Sequence, residues 1–267
     1  MARPEPVADE QDLEEGRMPF FAHLVELRNR LRNAAICFVL GTVVSWFFAE
    51  DIYAWLRGPL DNAWHRHPEL GAETRMAFGS VVEPFWVYMS VALWSGIFVA
   101  SPFIFHQLWK FIAPGLYKRE RRYAFGFAFA SAAFFIGGAL FCRYLVLDNL
   151  YGFLLDYSNE NTIPVLSLRD YFDLTKNMML AFGGVFELPI LIYFLAVTGI
   201  VTPRSLWRFN RWFIVLAFII GAVLTPSPDV VSQVLMALPM IVLYNASILV
   251  SFLVVRKRDK AVGVPPA

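Results

Sequence analysis

Six long apolar runs, separated by polar segments, dominate the hydrophobic pattern of this chain of 267 residues. A helix needs about 20 apolar residues to cross a bilayer, and inside the bilayer it satisfies its own backbone hydrogen bonds. The pattern therefore predicts an all-α membrane protein with six membrane-spanning helices. The predicted spans, with flanking residues that can continue each helix, are residues 31–49, 84–109, 123–147, 174–200, 212–224 and 230–255.

Two polar tails flank this single predicted membrane domain of residues 18–255. Residues 1–17 contain several acidic side chains, two prolines and almost no large apolar residue, which is typical of a disordered segment. A cleaved signal peptide would place a basic start before a short apolar core, and that order is absent. We therefore expect cytoplasmic tails at residues 1–17 and 256–267, and a first apolar run that stays in the mature protein.

The composition agrees with a multispanning protein, because 58% of the residues are hydrophobic and only 17% are charged. A soluble domain of this size would carry more charge. Cys37 and Cys142 both lie within apolar runs and form no CxxC pair, so we predict small hydrophobic side chains rather than a disulfide or a metal site.

The motifs of several common enzyme classes are missing from the sequence. It contains no GxxxxGK[ST] phosphate loop and no GxSxG nucleophile elbow, and the stretch from His23 to Glu26 is not an HExxH zinc motif. We therefore predict that the protein is not an enzyme and uses no metal or other cofactor. We also expect no nucleic acid among its partners.

Lysine and arginine are distributed unequally between the two sides that six spans define. Only six of the 23 basic residues lie in the connections of the second side: Arg57, Arg66, Arg75, Arg143, Arg169 and Lys176. Cytoplasmic connections are the ones enriched in lysine and arginine, so we predict that both termini lie in the cytoplasm. The long outer connections, residues 50–83 and 148–170, contain turn-forming residues and are expected to form structured caps.

The fifth apolar run is unusually short. A helix over residues 212–224 would be about 20 Å long, against about 30 Å for the hydrocarbon core. The turn that follows contains Pro226, and Asp229 is placed to cap the sixth helix, with Gln233 one turn later. We expect burial against neighbouring helices or a local thinning of the bilayer to compensate for the short fifth helix.

Glu187 lies about ten residues inside an otherwise uncharged predicted span. A charge at such a depth costs about 2.5 to 3.5 kcal/mol, so the residue should have a polar partner. The side chain should face a polar cleft or a partner helix, or it forms an internal hydrogen bond to a neighbouring span. Gly183 and Gly184 should allow another helix to approach closely, and Pro189 should bend the helix.

Two further carboxylates lie at the predicted cytoplasmic edge of the membrane. Glu26 is four residues before Arg30 in a predicted lead-in helix over residues 18–33, so it forms either an ordinary intrahelical pair or a surface binding group. Glu120 stands among four cations within residues 118–122. A carboxylate there is either solvated or a partner for an incoming guanidinium, whose fork of donors suits a carboxylate better than an ammonium does.

Four stretches of the chain, at residues 23–28, 111–122, 182–189 and 224–233, resemble the TatC family, the multispanning receptor subunit of the twin-arginine protein translocase. They occur in the family's order and at matching places relative to the six spans. The departures are modest, with Gly115 at a usual alanine and Ser227 inserted in the proline turn.

The resemblance implies a concave, glove-like bundle of six helices in the cytoplasmic membrane that binds the signal peptides of folded export substrates. By this resemblance Glu26 and Glu120 would meet the paired arginines, with Phe111 beside them, and Glu187 would line the concave face. Pro226, Asp229 and Gln233 would form a structural turn or a contact with a partner. The implied partners are the single-span subunits TatA and TatB, and the implied energy source is the proton-motive force. We also expect contacts with membrane lipids and with further copies of the chain.

Two other interpretations stay open from the residues alone. A secondary transporter or ion channel would use Glu187 as its intramembrane site, but it should also show an internal repeat with two matching broken helices. The glycine and proline interruption near Glu187 has no clear counterpart in the first three spans. In a scaffold or insertase, the carboxylates would only hold loops together.

Overall fold

The structure is a computed structural model that describes residues 20–70, 74, 76–112, 124–158, 164–224 and 230–262. Helices make up almost all of this part of the chain. They are α1 (Phe20–Phe47), α2 (Ala49–His65), α3 (Glu83–Ile112), α4 (Ala124–Phe141), α5 (Leu147–Leu155), α6 (Leu168–Phe186), α7 (Leu188–Val197), α8 (Pro203–Leu224) and α9 (Val230–Val262). A 3₁₀ turn at Pro68–Leu70, a π-helical segment at Cys142–Val146 and two short strands, β1 (Met76–Ala77) and β2 (Leu166–Ser167), complete the fold.

Five helical segments in the described part of the chain are long and apolar enough to cross a membrane: Glu83–Ile112, Phe125–Leu155, Leu168–Val197, Pro203–Leu224 and Val230–Arg256. The pair α1 and α2 meets the same criterion only when both helices are taken together, and they are bent by 81°. If this pair counts as one span, the number of candidate spans is six. The fold is therefore that of the predicted all-α membrane protein.

The first helix differs from the prediction of a lead-in helix followed by a separate span. α1 runs without interruption from Phe20 to Phe47, because this stretch contains no proline and only one glycine to weaken the helix. The chain turns at Phe48 into α2, and Arg143 binds the backbone of α2 about two turns after its start. This buried arginine donates from Nη2 to the carbonyl oxygen of Trp55 over 2.7 Å.

The fifth predicted span is also longer than its apolar run indicated. α8 has 22 residues, which corresponds to about 33 Å, so the expectation of a helix too short to cross the bilayer is wrong. Pro203 begins the helix at a position that proline favours, and arginines among its next residues are good helix formers. The predicted span omitted these first turns because it included only uncharged residues.

The two long connections form a cap, which consists of α2, α5, β1 and β2. β1 and β2 pair in parallel, Met76 with Leu166, and so tie the connections together. The carboxylate of Glu83 accepts hydrogen bonds from the backbone N–H groups of Gly79 at 2.7 Å and Arg169 at 3.2 Å. The structured caps predicted from the sequence are therefore present in the described residues of both connections.

Small residues bring the spanning helices close together at two crossings. At the crossing of α1 and α3, a Cβ atom added to Gly41 would lie 2.8 Å from the carbonyl oxygen of Gly96. At the crossing of α4 and α6, a Cβ added to Gly138 would lie 2.5 Å from the carbonyl oxygen of Phe182. Such close backbone approaches maximise dispersion contacts, which drive helix association in a bilayer.

The neighbouring glycines of α6 provide a matched test of this packing. A Cβ at Gly183 would lie 2.8 Å from the Phe135 ring, whereas a Cβ at Gly184 would meet no atom of the described residues within 4 Å. We expect Gly183→Ala to lower the free energy of unfolding by about 1 to 3 kcal/mol through overpacking. Gly184→Ala should be neutral or slightly stabilising, since alanine is the better helix former. Thermal unfolding of both variants in detergent checks the pair, and equal stability of the two would contradict the proposed crossing.

Candidate functional site

Glu26 lies near the N-terminus of α1, where this helix packs against the C-terminal end of α3. Its Oε1 accepts a hydrogen bond from Nη2 of Arg30 at 3.1 Å, so the predicted intrahelical pair is present. Nη1 of Arg30 also donates to Oε1 of Gln107 at 3.4 Å, which connects the pair to α3. The side chains of Glu26 and Arg30 are 19% and 29% exposed, so water screens the pair only in part.

Part of the hydrogen-bonding capacity of this pair is unused. Oε2 of Glu26 and Nε of Arg30 are buried and have no hydrogen-bond partner among the described residues. A carboxylate can accept two parallel hydrogen bonds from one guanidinium, but Arg30 occupies only one oxygen. Glu26 therefore retains an acceptor for a second donor.

An aromatic contact lies beside the carboxylate. The imidazole of His23 stacks on the ring of Phe111, with centroids 4.4 Å apart and an angle of 14° between the planes. His23 is almost one turn before Glu26 on α1, and Phe111 is one turn after Gln107 on α3. The structure thus brings the predicted residues Glu26 and Phe111 to the same end of the bundle.

Glu187 lies at the break between α6 and α7, two residues before Pro189. Proline cannot donate a backbone hydrogen bond and is tolerated in the first helical turn, so the predicted interruption falls at a suitable place. The Glu187 side chain is half-buried, and its Oε1 has no hydrogen-bond partner in the described parts of the chain. Of the two glycines before it, Gly183 packs against α4 as predicted, but a Cβ added to Gly184 would have no described residue within 4 Å.

Ser131 of α4 is the polar side chain that interacts with the carboxyl group of Glu187. This buried hydroxyl also accepts a hydrogen bond from Nε1 of Trp109 at 3.0 Å. Trp109 lies near the C-terminal end of α3, two residues before Phe111. This polar neighbour on α4 is the candidate for the internal partner considered for Glu187, whose Oε1 has no hydrogen-bond partner among the described residues.

An apolar groove of about 590 Å³ lies between α4, α7 and α9. Its walls include Phe127, Ala130, Phe134, Pro189, Ile190, Tyr193 and Val250. Phe127 stacks on Trp109 with ring centroids 4.8 Å apart, so the groove begins beside the C-terminal end of α3. Glu187 lies within one helical turn of the groove residues Pro189 and Ile190.

The remaining predicted site residues divide into two groups. Glu120, Pro226 and Asp229 lie outside the described residues. Gln233 lies in the first turn of α9, where its carbonyl oxygen packs 3.3 Å from the position of a Cβ on Gly221 of α8. Its described contact is thus an internal one within the α8 and α9 hairpin.

Ser131 and Trp109 also belong to this site but were not among the residues predicted from the sequence. Ser131 could have been found as an isolated hydroxyl inside an apolar run that must satisfy its hydrogen bonds. Nothing in the sequence indicates that Trp109 would donate to Ser131, because the two residues belong to different helices.

The family of this protein follows from its similarity to known families. The family model for the Sec-independent protein translocase protein (TatC) matches residues 22–239. The chain belongs to the TatC family. This result confirms the resemblance seen in the sequence and favours protein transport over a secondary transporter or an ion channel.

Individual relatives agree with the family assignment. The TatC protein of Koribacter versatilis (strain Ellin345) is 40% identical over 237 residues, which cover 89% of this chain and 86% of that protein. The TatC protein of Aquifex aeolicus (strain VF5) is 37% identical over 245 residues, which cover 91% of this chain and 98% of that protein. The chain therefore spans nearly the full length of these relatives.

Solved structures show the same fold. A crystal structure of the twin-arginine translocase receptor TatC matches with a TM-score of 0.76 and 36% identity, covering 87% of this chain and 99% of that chain. A second structure of the receptor, in the detergent DDM, matches with a TM-score of 0.77. The predicted fold class is confirmed, whereas the side of the membrane on which the termini lie stays a prediction.

Proposed function

We propose that this TatC-family protein is the receptor for twin-arginine signal peptides and that Glu26 accepts one of the two arginines. The observation that carries the proposal is the half-buried Glu26 carboxylate, which already binds one guanidinium, that of Arg30, and keeps its second oxygen unpaired among the described residues. Glu120 would accept the other arginine. Phe111, stacked on His23, would offer an aromatic face to a guanidinium.

Ion pairs alone are too weak to hold a cargo protein. Exposed pairs contribute about 0.2 to 1 kcal/mol each, whereas burial of apolar surface contributes about 25 cal/mol per Å². The apolar groove of about 590 Å³ supplies a surface for the apolar segment of the signal. Phe127 of the groove stacks on Trp109, near the end of α3 that carries Phe111, so we expect the apolar segment to bind in the groove while the arginines bind near Phe111.

The same proposal assigns the remaining predicted positions. The protein would lie in the cytoplasmic membrane with both termini in the cytoplasm, since most lysines and arginines lie in the connections of that side. TatA and TatB would assemble with it, together with further copies of the chain. Glu187 would contact a partner helix or the inserted signal through its unused oxygen, and Pro226, Asp229 and Gln233 would shape the α8 and α9 hairpin for a partner. Transport would use the proton-motive force.

Site-specific photocrosslinking tests where the signal binds. We expect a probe beside the two arginines of the peptide to crosslink to the segment around Phe111. A probe in the apolar segment should crosslink to groove residues such as Phe134 and Tyr193. Crosslinks of the first probe to the cap, for instance around Trp55 of α2, would contradict the proposed orientation. A peptide with two lysines in place of the arginines is the control and should give weaker crosslinks at Phe111.

A further inference from the structure

A second apolar cavity, of about 250 Å³, lies at the cap end of the bundle, far along α3 from the Glu26 site. It lies between α2, α3, α4 and α6, and its walls include Trp94, Ser95, Phe98 and Met179. Val99 and Leu140 also line it and are both exposed on the side of the bundle. The cavity therefore opens sideways, toward the acyl chains of a surrounding bilayer.

A polar cavity of about 450 Å³ adjoins the apolar one on the side of the cap. Its walls include Glu83, Arg169 and Asp173, which lie at or near the starts of α3 and α6. Ser90, Phe172 and Lys176 line both cavities, so the two spaces meet at these three residues. Together they form one site with an apolar half and a charged half.

Lys176 lies at the junction of the two halves. Its ammonium group donates to Oγ of Ser90 at 2.8 Å, forms an ion pair with Asp173 and lies 5.8 Å from the centroid of the Trp94 ring. Asp173 also forms an ion pair with Arg169 at 3.6 Å, so its carboxylate has two cationic partners. Both oxygens of Glu83 already accept backbone N–H groups. The Lys176 ammonium has three donors, and Ser90 and Asp173 engage two of them, so one donor is left for an anionic oxygen of a ligand.

The depth of Lys176 fits the boundary between headgroups and acyl chains. It is eight residues after the start of α6, and Ser90 is seven residues after the start of α3, which places the junction about 10 to 12 Å along the helices. Headgroup layers account for about 5 to 8 Å on each side of a bilayer. A lysine can reach such a boundary by extending its apolar stem along the helix.

We propose that this site binds one membrane phospholipid, with an acyl chain in the apolar cavity and its phosphate at Lys176. Because the apolar cavity opens toward the acyl chains, its ligand should enter from the bilayer. The apolar walls suit a hydrocarbon chain and would leave the backbone of a peptide without hydrogen-bond partners. The bound lipid fills the space between α2, α3 and α6 and thereby stabilises the attachment of the cap to the spanning helices.

Native mass spectrometry of the delipidated protein with added phosphatidylglycerol tests the site. We expect the parent protein to retain one phospholipid. Lys176→Met, which keeps an apolar stem but removes the ammonium, should lower its retention at least about fivefold. Ser95→Trp, which fills the apolar cavity without changing any charge, should do the same. Lys110→Met removes an exposed lysine at the other end of α3 and should leave retention unchanged.

Two competitors identify the ligand chemistry. Diacylglycerol, which has the chains but no phosphate, and glycerol phosphate, which has the phosphate but no chains, should each compete at least about tenfold less well than the phospholipid. The proposal is overturned if Lys176→Met and Ser95→Trp, both folded by circular dichroism, retain phospholipid as the parent does. It is equally overturned if either competitor matches the phospholipid.

Discussion

Replacing Glu26 by glutamine should weaken the binding of a twin-arginine peptide about tenfold. Glutamine keeps the shape of the side chain and an acceptor oxygen but removes the charge. Hydrogen bonds to charged groups contribute about 1.5 to 3 kcal/mol, and a tenfold change corresponds to 1.4 kcal/mol. Because the Glu26 side chain is only 19% exposed, its pair with arginine should exceed the range of exposed pairs. Fluorescence anisotropy of a labelled peptide with the purified protein measures the change.

Two variants serve as controls for this loss. Asp51→Asn neutralises an exposed carboxylate in the first turn of α2, at the opposite end of α1, and should leave the affinity unchanged. Arg30→Gln removes the internal guanidinium that competes for Glu26. Since such a helical pair is worth about 0.2 to 0.5 kcal/mol, this variant should bind the peptide equally well or about twofold more tightly. Unchanged affinity in a folded Glu26→Gln protein would show that Glu26 does not bind an arginine of the signal peptide.

Replacing Glu187 by leucine should abolish most export, by more than about tenfold, while the affinity for the twin-arginine peptide changes less than about twofold. The carboxyl group has Ser131 as a polar neighbour, and its Oε1 has no hydrogen-bond partner among the described residues. Leucine removes this polar contact without opening a cavity. Export of a reporter with a twin-arginine signal, in cells that have the variant as their only copy, measures the loss.

Ser131→Ala separates the two contacts that Glu187 can make. If the internal bond to Ser131 were the whole role of Glu187, Ser131→Ala would reduce export as much as Glu187→Leu does. We expect a smaller loss, because the contact with a partner or with the signal would persist. Near-normal export by the Glu187→Leu protein would refute an intramembrane role for this carboxylate.

Features that depend on local composition could be predicted from the sequence. The six apolar runs predicted the spanning helices, because a bilayer imposes the length and the hydropathy of each one. The pair of Glu26 with Arg30 followed from helical spacing. Gly183 was predicted to permit a close approach, and the Phe135 ring indeed lies 2.8 Å from the position of its Cβ.

Features that depend on contacts between distant segments could not be predicted in this way. The adjacent Gly184 is equivalent in the sequence, but a Cβ there would have no described residue within 4 Å, since the crossing angle of two helices decides which glycine is covered. The bond from Trp109 to Ser131 joins residues of different helices, and the apolar cavity beside Lys176 is lined by four helices. The true length of α8 was missed because its first turns contain arginines, which hydropathy excludes but a helix accepts.

The central claim is that carboxylates of this protein bind the two arginines of a signal peptide. Its most direct test compares the affinities of twin-arginine and twin-lysine peptides for the parent protein and for a Glu26→Gln, Glu120→Gln double variant. A guanidinium gives a carboxylate a fork of two hydrogen bonds that an ammonium cannot give, so the part of the ratio that the double variant loses reports this contact. We predict a ratio of about ten or more for the parent and less than about two for the double variant. The same ratio in both proteins would contradict the account.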